Sequence, residues 1–219
     1  MKYVVVDLEM NPIQKKYKRE KEIWKMETIQ IGAVVLDENF QEISTFSTLV
    51  KPQYNEKIEK RYEQMTGITT EMVENAPIFK NAMEQFLSWC KHLDDELEFL
   101  QWSDCDLMQI QKEIELKHLS FSNYEEFLDD WVDFQEEFGD TLGLGKQISL
   151  NDALSYAHIL FKGDRHNALH DARNTGYLLE IIRDEKKCQE VLGSVIQALN
   201  PTHKGTTLGE LFDFSKFYS

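Results

Sequence analysis

Basic residues are scarce in this chain: 24 Lys and Arg stand against 39 Asp and Glu, a net charge of −15 over 219 residues. That balance argues against the uniformly basic surface with which a protein grips phosphate backbones. Cysteine is scarce too. Cys90, Cys105 and Cys188 are odd in number and far apart, with no CxxC or Cys/His zinc spacing, so neither a disulfide framework nor a structural zinc is expected. They read as reduced thiols of a cytosolic protein. No apolar run reaches membrane-span length, and the first, Tyr3-Val4-Val5-Val6, stops at Asp7 and is too short for a signal peptide. Nothing leads to export or to a bilayer. Internal repeats, low-complexity linkers and composition breaks are also missing, so residues 1–185 read as one domain, with 186–219 as a C-terminal helix and tail packed on it. At this length folding buries roughly 70% of the unfolded chain's surface, enough for a core without staples.

What is present is an alternation of strand-like and helix-like segments. Residues 2–7, 28–37 and 42–50 are rich in Val, Ile, Thr or Phe and read as strands, the last two joined through the turn-like Asp37-Glu38-Asn39. In 75–93, Phe79, Ala82, Met83, Phe86, Leu87 and Cys90 recur at helical spacing, and 97–102 reads as the next strand. Helices are expected over 106–117, 150–161 and 168–183, and a fifth strand over 127–134. After Cys188, the spacing of Val191, Leu192, Val195, Ile196 and Leu199 predicts a last amphipathic helix. The apolar residues 208–212 suit docking, on this chain or on a protein partner. The fold class is α/β, a five-stranded sheet flanked by helices.

Several acidic residues sit where structure alone does not favour them. Asp7 and Glu9 close the first strand and, at a two-residue period, share one face. Like charges so placed are either solvated or bridged by a cation. Asp106 follows the apolar run that ends in Trp102, where a strand hands over to a helix and open α/β sheets place ligands. It reads equally as a first-turn acid, with Asp104 beside it as a competitor. At about 100° per residue, Asp171 falls on the same stripe as Thr175, Leu178 and Ile182, and a carboxylate on a core-facing stripe needs a partner. His166, about 140° from Asp171, cannot share that stripe and belongs on the loop entering the helix. Lys15, Lys16, Lys18 and Arg19 make one locally basic stretch, which is either a solvated loop or a set of phosphate contacts.

The order Asp7-Leu8-Glu9, then Asp106, then His166 and Asp171 resembles the DEDDh exonucleases of the ribonuclease H-like fold. Glu27 to Val34 looks like that family's second strand, Met65-Thr66-Gly67-Ile68-Thr69 like its Leu-Thr-Gly-Ile-Thr segment, and Arg165 to Thr175 like its closing motif. The Thr-Gly-Ile-Thr segment and the Ala172-Arg173-Asn174-Thr175 ending look most like the branch of ERI-type and KapD-like proteins. The resemblance implies a mixed sheet and 3′-to-5′ hydrolysis of RNA or single-stranded DNA. Two Mg²⁺ or Mn²⁺ ions would be held by Asp7, Glu9, Asp106 and Asp171, with His166 as general base. It places Met10 against the terminal nucleotide, or simply as a packed Met, and Trp24 either on a base or over the core.

Overall fold

The computed structural model describes residues 1–93, 96–121, 127–129 and 131–200. Its five strands form one mixed sheet in the order β3-β2-β1-β4-β5: β1 (Lys2–Pro12), β2 (Met26–Leu36), β3 (Glu42–Leu49), β4 (Leu97–Gln101) and β5 (Val132–Asp133). The first three pair antiparallel, whereas β4 joins β1, and β5 joins β4, in parallel. The helices are α1 (Lys18–Ile23), α2 (Lys60–Thr66), α3 (Thr70–Val73), α4 (Phe79–Lys91), α5 (Cys105–Leu116), α6 (Phe134–Leu142), α7 (Leu150–Tyr156), α8 (Ala168–Arg183) and α9 (Glu185–Leu199).

The two-residue alternation of β1 divides the core. Val4, Val6 and Leu8 join a cluster with Phe79 and Phe86 of α4 and Ile110 of α5. Val5 joins a second with Phe138 of α6, Leu178 of α8 and Leu192 of α9. Both faces of the sheet are covered, and each such side chain, fully enclosed, contributes roughly 1.5–3 kcal/mol. Asp7 and Glu9 share the parity of Val5, which puts them on the face that α8 covers.

Several boundaries differ from the sequence expectation. β1 does not close at Asp7-Leu8-Glu9: past a register shift between Glu9 and Met10, it continues by pairing Met10, Asn11 and Pro12 with Thr28, Glu27 and Met26. Asn11 is polar yet wholly buried, because its amide donates to the Lys57 carbonyl at 3.1 Å and accepts the Glu59 N–H at 2.9 Å. The strand expected over 127–134 pairs only at Val132–Asp133. Its aromatics pack rather than pair: Trp131 stacks on Phe99 with ring centroids 5.5 Å apart, and Phe134 opens α6, a helix the pattern did not suggest. The helix expected to run to Phe161 ends at Tyr156, and His158 beyond it has a left-handed φ of 56°.

Helices α2 and α3 lie where none was expected, whereas α9 begins before the expected stretch and buries Leu192 completely. Residues 208–212, and with them the proposed docking tail, lie outside the described residues. Cys90, Cys105 and Cys188 are free thiols. No helix among the described residues is long and apolar enough to cross a membrane.

Candidate active site

The site begins with a close approach of helix to sheet. Asp7 lies opposite Gly32, and Glu9 opposite Gln30, in the β1–β2 pairing. A Cβ on Gly32 would stand 2.1 Å from the Leu169 nitrogen and 2.2 Å from the Ala168 carbonyl carbon, so only glycine admits the first turn of α8 here. The Gln30 side chain then accepts the Ala168 N–H at 3.1 Å, and Asn167, the N-cap, accepts the His170 N–H at 3.3 Å. These bonds satisfy donors that a helix start otherwise leaves open. They also fix Asp171, in the first turn of α8, against the carboxylates of β1.

Asp106 arrives from α5. β4 ends at Gln101, which pairs with Val6, so farther along β1 the Leu8 N–H has no partner from β4. The Asp106 Oδ1 accepts that N–H at 3.1 Å, and the Gln101 side chain accepts the Leu107 N–H at 2.8 Å, anchoring the start of α5. Asp106 is buried. Asp104 is exposed and stands at the N-cap position of α5, but its carboxylate caps no backbone N–H and accepts only from the Cys105 thiol at 3.7 Å.

His166 is exposed on the loop before Asn167, as the helical phase of Asp171 required, with a left-handed φ of 58° that a non-glycine residue adopts at a cost. Ligand-capable atoms of Glu9, His166 and Asp171 lie within 4.8 Å of one another. This grouping differs from the sequence reading, which set the histidine apart from the metal-binding carboxylates. Asp7 and Asp106 lie close enough for their charge to act on the group.

The electrostatics follow from enclosing four acids together. Burial, then Asp171 and Asp106, pushes Glu9 up to about 8. Burial pushes Asp106 up to about 7, with the Leu8 N–H opposing it and Asp171 adding to it. Asp171 rises less, to about 6, because His166 and the backbone N–H groups of His166 and Asn167 offset part of its burial. Asp7 is held well above the usual carboxylate range by burial and by its three acidic neighbours. Such a set resists ionising unless positive charge enters it. Four carboxylates beside one imidazole suit a hard divalent cation, and no thiolate is present to favour a softer one.

The remaining sequence candidates are farther out. Met10 is half-buried against the α4–α5 side of the core. Lys15, Lys16, Lys18 and Arg19 are exposed and make no ion pair among the described residues, and the Lys16 ammonium lies 4.9 Å from the Tyr17 ring. Their segment is tied down on both flanks. Gln14 donates to Asn55 Oδ1 at 2.8 Å, and the Trp24 indole donates to Gln109 of α5, one turn beyond Asp106. Gly32, Gln30 and Asn174 were not singled out from sequence, although a glycine inside an eleven-residue strand is itself a sign of close backbone approach.

The family model described as Exonuclease (RNase_T) matches residues 4–179, and the chain belongs to that family. It is 29% identical to ERI1 exoribonuclease 2 of Danio rerio over 182 residues, covering 74% of this chain and 32% of that protein. It spans less than a third of the length of the ERI1 exoribonuclease 2 relatives it matches. Among solved structures, the nuclease domain of 3′hExo, described as a DEDDh family member bound to rAMP, superposes with a TM-score of 0.70 at 19% identity. That match covers 85% of this chain and 94% of the other. S. pombe Pop2p, described as its Mg²⁺- and Mn²⁺-bound form, gives a TM-score of 0.61 at 16% identity, covering 84% and 83%. The fold is ribonuclease H-like.

Proposed function

We propose that this chain is a divalent-metal-dependent exonuclease that removes nucleotides from the 3′ end of RNA or single-stranded DNA. The observation that carries the reading is the meeting of Asp7, Glu9, Asp106 and Asp171, from three distant segments, with the exposed His166 at their margin. Family membership, exoribonuclease relatives and the metal-bound Pop2p neighbour support it. The four carboxylates would hold two Mg²⁺ or Mn²⁺ ions, which would supply positive charge beside an attacking water and the departing 3′ oxygen. His166 accepts the proton of that water through its imidazole nitrogen, and its exposed loop gives the water an approach. Met10 contacts the terminal nucleotide, and Lys15, Lys16, Lys18 and Arg19 contact phosphates upstream. An acidic protein thereby holds a polyanion, since the attraction is local.

The competing readings are a non-catalytic binder on the same fold and a proofreading subunit of a polymerase. A 5′-labelled RNA or DNA oligomer incubated with the purified protein separates the exonuclease from the non-catalytic binder, whereas a polymerase that co-purifies through the tail would favour the proofreading subunit. Shortening in a ladder with Mn²⁺ and arrest by EDTA are the expected results. Endonucleolytic products, or full-length substrate in every condition, would reject the exonuclease reading.

A further inference from the structure

Ile159 and Phe161 pack on the second core cluster, but between Phe161 and Asn167 the loop that presents His166 carries no apolar side chain, and residues 162–166 are all exposed. A segment with so few buried contacts opens locally unless polar bonds close it. Those bonds come from α8 itself. Asn174, three residues beyond Asp171 and wholly buried, accepts the Lys162 N–H at 3.0 Å, donates back to the Lys162 carbonyl at 2.9 Å, and donates to the His170 carbonyl at 2.7 Å. Its amide thus clasps one residue of the loop in both directions. The next residue, Gly163, has φ 92°, and a Cβ there would stand 2.6 Å from the His170 ring. The chain turns tightly over that ring, and the His170 Nδ1 accepts the Asp164 N–H at 2.9 Å. Two residues later His166 takes its left-handed conformation and turns its backbone N–H onto Asp171.

We infer that Asn174, assisted by His170, is a positioning residue: it closes the 162–166 loop onto α8 so that the His166 imidazole is held beside Glu9 and Asp171. The inference deepens the exonuclease reading and rests on it for its kinetic consequences. Asn174 touches no reacting group and acts through Lys162 and Gly163. A glutamine or alanine in its place leaves the Lys162 peptide without one or both of its bonds, and a displacement of about 1 Å at a proton acceptor costs on the order of 10²-fold in rate.

The test uses the full chain and two readouts. Hydrogen exchange of the 160–167 peptide, measured without metal, is expected to quicken in Asn174→Ala and in Gly163→Ala while exchange of β1 and β2 stays at the wild-type rate. Gly163→Ala lies in the exposed loop and tests the same clasp should Asn174→Ala fail to fold. With Mn²⁺ and a labelled oligomer, Asn174→Ala is expected to lower kcat about 10²-fold at an unchanged KM. In a His166→Ala background it should lower kcat no further. Unchanged exchange of the loop in both variants overturns the inference. So does a kcat loss in Asn174→Ala that repeats in full without His166. Quickened exchange in the two variants, with a wild-type protein that is itself inactive on the oligomer, supports the clasp and rejects the exonuclease reading alone.

Discussion

Gly32 lies opposite Asp7 in the β1–β2 pairing, and the space a side chain on Gly32 would fill is occupied by the backbone of Ala168 and Leu169. The register that places the first carboxylate is therefore the same register that lets α8 deliver the last one. Gly176 on α8 makes a looser approach, since a Cβ there would meet side chains rather than backbone, Leu36 at 3.3 Å and Val34 at 3.8 Å.

Gly32→Ala is accordingly expected to push the first turn of α8 off the sheet. Overpacking against backbone costs about 1–3 kcal/mol, which in a chain of this size lowers the Tm by roughly 2–12 °C. Nuclease turnover should fall at least about tenfold with it, because Asp171 moves with the helix. Gly176→Ala, measured beside it, should change both far less. Equal behaviour of the two variants would contradict the close-approach argument.

The metal-free protein should lose stability as pH rises. Glu9, Asp106 and Asp171 have folded values of about 8, 7 and 6, all above the ordinary carboxylate range. The folded state therefore keeps protons that the unfolded chain releases. This contribution to stability is whole below about pH 4 and is lost as pH climbs through about 6 to 8. In EDTA the Tm should fall by a few degrees between about pH 5.5 and 8.5, and Mn²⁺ should restore it most at the higher pH. Asp7→Asn should melt above wild type in EDTA at high pH and gain less from Mn²⁺. A Tm in EDTA that does not change over this range, and does not respond to Mn²⁺, would reject the coupled acidic site.

How far the sequence foretold this site depends on how local each determinant is. The shared face of Asp7 and Glu9 follows from the strand period, and the inward phase of Asp171 follows from the helix period, so both were legible. The choice of Asp106 over Asp104 was not, because it turns on the Leu8 N–H, 98 residues away, which β4 leaves without a strand partner. The end of β1 was misjudged for a similar reason: Asn11 looks like a strand stop until the Lys57 and Glu59 backbone satisfies it. Over 127–134, where a strand was expected, Phe127 and Trp131 pack against Phe99 instead.

Neutralising Lys15, Lys16, Lys18 and Arg19 together should weaken binding of long oligomers and flatten its salt dependence. Each phosphate contact contributes about 0.7 to the slope of log K against log salt on a single strand. Hydrolysis of a dinucleotide should stay near the wild-type rate. These four cations are exposed and make no ion pair among the described residues, so their removal should leave the Tm within about 1–2 °C of wild type. An unchanged affinity and salt slope would make the segment a solvated surface loop.

The last test separates proton transfer from cation binding at one imidazole. His166 lies within ligand distance of Glu9 and Asp171, so the geometry admits it as a metal ligand as well as a base. As a base it contributes roughly 10²- to 10⁴-fold to turnover without holding the ions. His166→Ala should then lose that factor in kcat yet keep the Mn²⁺-induced rise in Tm, whereas Asp171→Ala should lose both. As a ligand, His166 would instead carry part of that rise, and His166→Ala would shrink it by as much as Asp171→Ala does. The comparison should be run at saturating Mn²⁺ and at one fixed pH for all variants. A His166→Ala protein with wild-type kcat under those conditions would exclude the base assignment, and the carboxylate site would have to activate its water without it.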